Sequence, residues 1–317
     1  MHRGGSVNRQ VVINECFARD GLQNEADFVS TETKLALIAR FTELGFQRIE
    51  ATSYAHPERV PQFADASDVL ARISRGAGVL YKASCGNTRA VERANADFDA
   101  GRGANEISLL ASASDSHSKK NLNATKDEQW KRIEEMVRVA NGRYNLVGSL
   151  SVAFACPFDG IISPEVVKAD CERFAQLGVR TISLGDTIGA ATPDLIEAMF
   201  ETLMSAHPDL IFVAHFHDTR GLGLANCLAA YRAGCRYFDS AFGGAGGHPA
   251  KIKYGGGYTG NVATEDLVNM FEAMGISTAI NLHSLIETAK MCEEAVGRPL
   301  YGKVTRTGLS PFLETAA

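Results

Sequence analysis

The sequence predicts an α/β fold: a (β/α)8 TIM barrel with a C-terminal helical extension. Three observations predict it. Eight short runs rich in Val, Ile and Phe, each bounded by polar or glycine residues, alternate with amphipathic helical runs. Such alternation implies parallel strands joined by right-handed crossovers. The chain is 317 residues long, which suits eight βα units closing on themselves. A doubly wound open sheet is the competing arrangement. Its usual GxGxxG phosphate loop after the first strand is absent here, where the first run continues as CFARDGLQ.

The predicted strands cover residues 11–15, 48–53, 79–84, 106–112, 145–154, 181–186, 211–218 and 237–242. Between them, residues 31–45 place Leu35, Leu37, Ile38, Phe41 and Leu44 on one face and stop at Gly45, as a helix does. Residues 125–143 and 222–234 continue the pattern. The stretches 163–178 and 192–206 open on Ser-Pro-Glu and Thr-Pro-Asp, with proline at the first helical position, where its missing N–H costs nothing. Two more helices, 263–275 and 281–297, follow the eighth strand. No linker or low-complexity segment interrupts the chain. The expectation is one domain, 1–317, with the barrel over 11–275 and a helical cap and tail over 276–317.

Composition excludes several classes of function. Lys and Arg number 32 against 37 Asp and Glu, a net charge of −5. With a pI near 5.9, the chain is not built to coat nucleic acid or an anionic membrane. Mean hydropathy is −0.08, and no apolar run approaches the ~20 residues of a membrane span. The opening MHRGGSVNRQ carries no apolar core of a secretory signal. Seven cysteines without a CxxC pair read as reduced thiols of a cytoplasmic protein. Glycine is abundant, 30 against 9 prolines, with a cluster between Gly243 and Asn261.

In such a barrel the chemistry sits at the C-terminal strand ends. There the sequence places Arg19 and Asp20 after the first strand, Glu50 in the second, Asp186 at the end of the sixth, and His215 and His217 in the seventh. His-x-His on a strand puts both imidazoles on one face, because side chains alternate. Two imidazoles with the Asp20 carboxylate form a mixed nitrogen–oxygen site without thiolate, suited to Mg2+ or Mn2+. Zn2+ and Fe2+ stay open.

The motifs ARDGLQNE (18–25), IEATSY (49–54), SLGDTIGAATP (183–193), HFHDT (215–219) and GNVATEDLV (260–268) resemble the hydroxymethylglutaryl-CoA lyase family. These are metal-dependent barrel lyases related to isopropylmalate and homocitrate synthases. The similarity runs from about residue 11 to about residue 300. It implies a divalent cation on Asp20, His215, His217 and Asn261. It implies that Arg19 faces the developing enolate oxygen, with Glu50 and Asp186 as acidic pocket residues and Gln23 beside the metal. Lys119 and Arg220 are expected to meet phosphate or carboxylate groups of an acyl-CoA. A homodimer is the assembly the resemblance implies.

One departure stands out. The family pattern after the eighth strand is roughly GLGGCP, whose cysteine is thought to be the general acid. Here the stretch reads Gly243-Gly244-Ala245-Gly246-Gly247-His248-Pro249, with histidine in the cysteine position and a second glycine run, Gly255–Gly257, before Asn261. Two readings follow: a histidine acid, competent near neutrality, or a loop residue where the usual acid is missing. The cluster reads as a lid over the metal.

The expected activity is retro-Claisen cleavage of a 3-hydroxy-3-methylglutaryl-CoA-like thioester to acetyl-CoA and a β-keto acid. Alternatives are a lyase for a related branched 3-hydroxyacyl-CoA such as citramalyl-CoA, an enzyme condensing acetyl-CoA with a 2-oxo acid, or a silent CoA-binding homologue.

Overall fold

The computed structural model describes residues 10–247 and 260–313. Its centre is a closed barrel of eight parallel strands: β1 (Val12–Glu15), β2 (Arg48–Ser53), β3 (Leu80–Cys85), β4 (Glu106–Ser112), β5 (Asn145–Ser151), β8 (Thr181–Asp186), β9 (Ile211–Phe216) and β10 (Tyr237–Ser240). The last strand pairs with the first, Val12 to Tyr237 through Glu15 to Ser240, so no edge is left unpaired. The eight expected runs all lie in this barrel. The fifth is shorter than expected, because after Ser151 the chain turns into a two-stranded hairpin, β6 (Ala155–Cys156) with β7 (Gly160–Ile161).

Helices ring the barrel where the apolar stripes placed them. They include α1 (Thr31–Glu43), α5 (Lys126–Ala140), α6 (Pro164–Gln176), α7 (Pro193–Ala206), α8 (Gly223–Arg232), α9 (Thr264–Ala273) and α10 (Leu285–Val296). The α1 start is capped by Ser30, whose side chain accepts from the Thr33 N–H. Thr125 and Glu128 form a reciprocal capping box on α5. Four further helices were not expected: α2 (Ala66–Arg72), α3 (Thr88–Asp99), α4 (Asp115–Leu122) and α11 (Val304–Thr307). Beyond the barrel helices, α10 packs on α1. Their contact is fastened by Arg40, which reaches Glu287 at 2.8 Å and Thr288 at 3.2 Å.

The core between barrel and helices is dense and aromatic. Trp130 of α5 meets Phe174 of α6 edge-on, with ring centroids 4.7 Å apart. Gly148 of β5 lies beneath that pair, where a Cβ would come within 2.8 Å of the Phe174 ring. At the rim, Phe17, Phe41, Phe46 and Phe242 form one cluster, Phe41 stacking on Phe242 at 5.4 Å. This cluster fixes the turn after β1 against the start of the glycine-rich segment.

No described helix is long and apolar enough to cross a membrane. All seven cysteines are free and buried.

Candidate active site

The turn after β1 positions the first two functional side chains. Phe17–Gly21 winds as a single π-helical turn, closed by Gly21 N–H to Cys16 O and Leu22 N–H to Phe17 O. Such wide turns concentrate at functional sites. This one carries Arg19 and Asp20 to the wall of a cavity of about 910 Å³ at the barrel mouth. His215 and His217 reach the same cavity from β9 and the residue after it, on one face as their spacing requires.

Asp20, His215 and His217 each offer one ligand atom, all within 4.8 Å of one another. Asn261 joins them through a backbone return that the sequence does not show. Val262 N–H bonds Phe216 O at 3.2 Å, and His217 and Asn261 bridge as antiparallel partners. The Asn261 amide donates to Asp20 Oδ2 at 2.6 Å and to Ala245 O at 3.0 Å. The return needs glycine at two places. A Cβ on Gly246 (φ +106°) would press on Asn261 Nδ2 at 2.6 Å, and one on Gly260 would fall 2.0 Å from Gly244 O.

These residues fit a divalent cation. His217 Nδ1 donates to Thr187 O at 3.0 Å, leaving Nε2 with a free lone pair. That Nε2 and Asn261 Oδ1 are both buried and without a hydrogen-bond partner among the described residues. Buried acceptors without donors are costly unless a cation takes them. Burial, and next the neighbouring His215, hold the His217 imidazole down at about 4, so it stays neutral and able to ligate. Asp20 is pushed up by burial, but Arg19 and the two histidines outweigh this and hold it below its ordinary value.

Behind His215 stands Asp239 of β10, which sequence reasoning missed. Its Oδ2 accepts from His215 Nδ1 at 3.1 Å and from Ser183 Oγ at 3.0 Å, and its Oδ1 accepts from Asn14 Nδ2 at 2.6 Å. A carboxylate behind a ligating imidazole fixes the tautomer and the ring orientation. Burial raises the Asp239 carboxyl, but Lys82 and His215 overcome it and leave the group well below the usual carboxylate range. Lys82 of β3, also missed, lines the same cavity. Both residues carried a readable signal. Each is a charge inside an apolar β run, VLYKAS and YFDSAF, as Glu50 is in its own run.

Arg19 donates through Nη1 to Asp20 Oδ1 at 2.6 Å and through Nη2 to Ser84 Oγ at 3.3 Å. Its Nε lies 3.0 Å from Glu50 Oε1. Glu50 and Gln23 line the cavity with it.

Three expected residues sit elsewhere. Asp186 is fully buried and accepts from the Ala190 and Ala191 backbone N–H groups, each at 3.0 Å, so it organises the loop after β8 rather than facing the cavity. Arg220 donates to Ile188 O at 2.6 Å and Gly189 O at 3.1 Å, clamping the same loop from behind. Lys119 is more than half exposed and pairs with Asp115 one helical turn away. The guanidinium-bearing residues that line the cavity besides Arg19 are Arg59, Arg89, Arg93 and Arg132. Residues 248–259, with His248, Gly255–Gly257 and most of the expected lid, lie outside the described residues.

Comparison with known proteins agrees with this geometry. Residues 10–292 match the family model described as HMGL-like. The chain is 39% identical over 294 residues to the hydroxymethylglutaryl-CoA lyase YngG of Bacillus subtilis, covering 92% of this chain and 95% of that protein. It is 38% identical over 303 residues to the mitochondrial hydroxymethylglutaryl-CoA lyase of Homo sapiens, covering 95% and 90%. Among solved structures, an HMG-CoA lyase from A. baumannii in complex with coenzyme A and 3-methylmalate superposes with a TM-score of 0.89. The two are 35% identical, with 97% of this chain and 98% of that one covered. The chain belongs to the HMGL-like family.

Proposed function

We propose that the protein is a divalent-metal-dependent carbon–carbon lyase that cleaves 3-hydroxy-3-methylglutaryl-CoA to acetyl-CoA and acetoacetate. The observation that carries this is the grouping of Asp20, His215, His217 and Asn261 beside Arg19 on one cavity wall. The relatives named as hydroxymethylglutaryl-CoA lyases support the same reading. Those four side chains would hold the cation, Mg2+ or Mn2+ on an oxygen- and imidazole-rich donor set. When bound, it lowers the pKa of the substrate's tertiary hydroxyl.

Arg19 supplies the cationic donor. As the bond between C2 and C3 breaks, its electron pair passes to C2, the thioester oxygen gains enolate charge, and C3–O becomes the ketone of acetoacetate. A guanidinium held by Asp20, Glu50 and Ser84 needs no reorganisation to meet that charge. The hydroxyl proton passes to a wall carboxylate or a water. Glu50 lines that wall without belonging to the metal group. A proton delivered to C2 completes acetyl-CoA, and His248 is the residue we assign to that delivery. Arg59, Arg89, Arg93 and Arg132 give the cavity a basic lining suited to the phosphates of coenzyme A. We place the enzyme in a reducing, cytoplasmic setting, on seven free and buried thiols, and read it as a homodimer.

The test is acetyl-CoA release from a panel of 3-hydroxyacyl-CoA thioesters, with Mg2+ or Mn2+ and with chelator. Turnover of the hydroxymethylglutaryl thioester that stops with chelator is expected. No turnover of any thioester by metal-loaded protein refutes the lyase. His248→Ala is expected to lower kcat about 100-fold, and full kcat in that variant removes His248 as the acid.

A further inference from the structure

We propose that Lys82 reads the free carboxylate at the far end of the acyl group and makes the enzyme selective for acidic over neutral 3-hydroxyacyl thioesters. The proposal rests on the lyase reading and adds to it a specificity residue.

Lys82 projects into the barrel from the middle of β3, beside Glu50 of β2 and Glu106 of β4 in register. The residue is buried, yet it lines the cavity. Its nearest anion is Glu50 Oε1, at 3.8 Å from Nζ. That is too long for a hydrogen bond, and among the described residues Nζ makes none. Burial disfavours the ammonium, but Glu50 and next Asp239 outweigh it, so Lys82 is held as a cation. A buried ammonium has three N–H donors, and leaving them unmatched is costly.

The surrounding groups are already engaged. Asp239 accepts from Asn14, Ser183 and His215. Glu50 Oε1 lies in an ion pair 3.0 Å from Arg19 Nε without a hydrogen bond, and Arg19 also serves Asp20 and Ser84. Glu106 is held by Arg48 at 2.6 Å. Among the described residues, Lys82 is therefore the cation at this wall that makes no hydrogen bond. Charge balance agrees. Around the metal group Arg19 and Lys82 face Asp20, Glu50 and Asp239, which leaves one net negative charge. A divalent ion turns that into one net positive charge, and an acyl group with a single carboxylate neutralises it. The thioester oxygen is assigned to Arg19 and the coenzyme A phosphates to the arginine lining, so the anionic group left on the acyl part is the terminal carboxylate.

The experiment compares 3-hydroxy-3-methylglutaryl-CoA with its terminal methyl ester, which removes the charge and adds one methyl group. Binding by calorimetry and kcat/KM with saturating Mn2+ are measured for wild type, Lys82→Met and Lys82→Arg, each checked by thermal melt. Wild type is expected to favour the acid, and Lys82→Met to lose about 10- to 100-fold of that preference. Any loss that Lys82→Met causes through Glu50 or Asp239 falls on acid and ester alike and cancels in their ratio, and Lys82→Arg keeps part of the preference. A counter-ion with only a structural role lowers acid and ester together, so an unchanged acid-to-ester ratio in Lys82→Met overturns the proposal. Wild type that does not distinguish acid from ester overturns it without any variant. Binding reports on Lys82 even if no thioester is cleaved, which separates failure of this proposal from failure of the lyase reading.

Discussion

Asp239→Asn tests a residue outside the proposed metal ligands that bonds one of them, His215. In the wild type, Asp239 Oδ1 takes the Asn14 amide at 2.6 Å, while Oδ2 takes His215 Nδ1 at 3.1 Å and Ser183 at 3.0 Å. An asparagine keeps a single acceptor. If its carbonyl stays on Asn14, its NH2 faces His215 Nδ1. The imidazole must then move its proton to Nε2, the nitrogen it offers to a cation. If the amide turns over, Asn14 has to turn as well, and the charge behind His215 is lost in any case. Groups of this kind typically contribute 10- to 100-fold to metal affinity, about 1.4–2.7 kcal/mol. Calorimetric Mn2+ titration near neutral pH should therefore show Kd raised 10- to 100-fold. The metal-free melting temperature should move by only a few degrees. In a His215→Ala background the same change should add little, because the two residues act as one unit. A Kd for Asp239→Asn equal to that of wild type would refute the reasoning.

Two further outcomes bear on the fold. Glu15 is fully buried, and burial pushes its carboxyl to about 8, against opposing hydrogen bonds from Thr264 and from the Phe17 and Phe242 N–H groups. Because the folded value lies above the unfolded one, its stabilisation is full below about 4.5, falls as pH rises from there, and is gone above about 8. Glu15→Gln keeps the two backbone contacts and cannot ionise. Urea unfolding should then show wild type losing up to about 1.4 kcal/mol per pH unit across that window relative to the variant, and parallel stability curves would contradict this. Gly148→Ala drives a Cβ into the Phe174 ring at 2.8 Å. It should cost about 1–3 kcal/mol in denaturant unfolding with kcat per folded molecule retained, and an unchanged midpoint would show that the ring moves aside freely.

The barrel was legible because its signal is local and repeated. Each strand announces itself by a short β-branched run, and eight of them in alternation leave few topologies. Of the helices that escaped notice, two bury few large side chains. The buried face of α3 consists mainly of Ala90, Val91 and Ala94, and α4 buries only His117 and Ser118. Such segments are held by the barrel they pack on more than by their own pattern. Within the site, His215, His217, Asp20 and Arg19 were readable from strand-end position and spacing. Asp186 and Arg220 stand in an equally suggestive motif, but their partners are backbone groups of one loop, and a motif does not say which way a side chain faces.

By itself, the sequence determined the class of fold and the strand that carries the imidazole pair. Periodicity and residue chemistry are properties of the chain alone. Only the tertiary structure decided which distant groups meet. Asn261 reaches Asp20 because the chain returns beside β9. Asp239 orients His215 because β9 and β10 are neighbours. Lys82 lines the cavity without a hydrogen bond because barrel closure sets it beside Glu50 at 3.8 Å, beyond hydrogen-bond reach. Contacts between strands brought together by closure depend on register and on the direction of each side chain, and neither is written in local pattern.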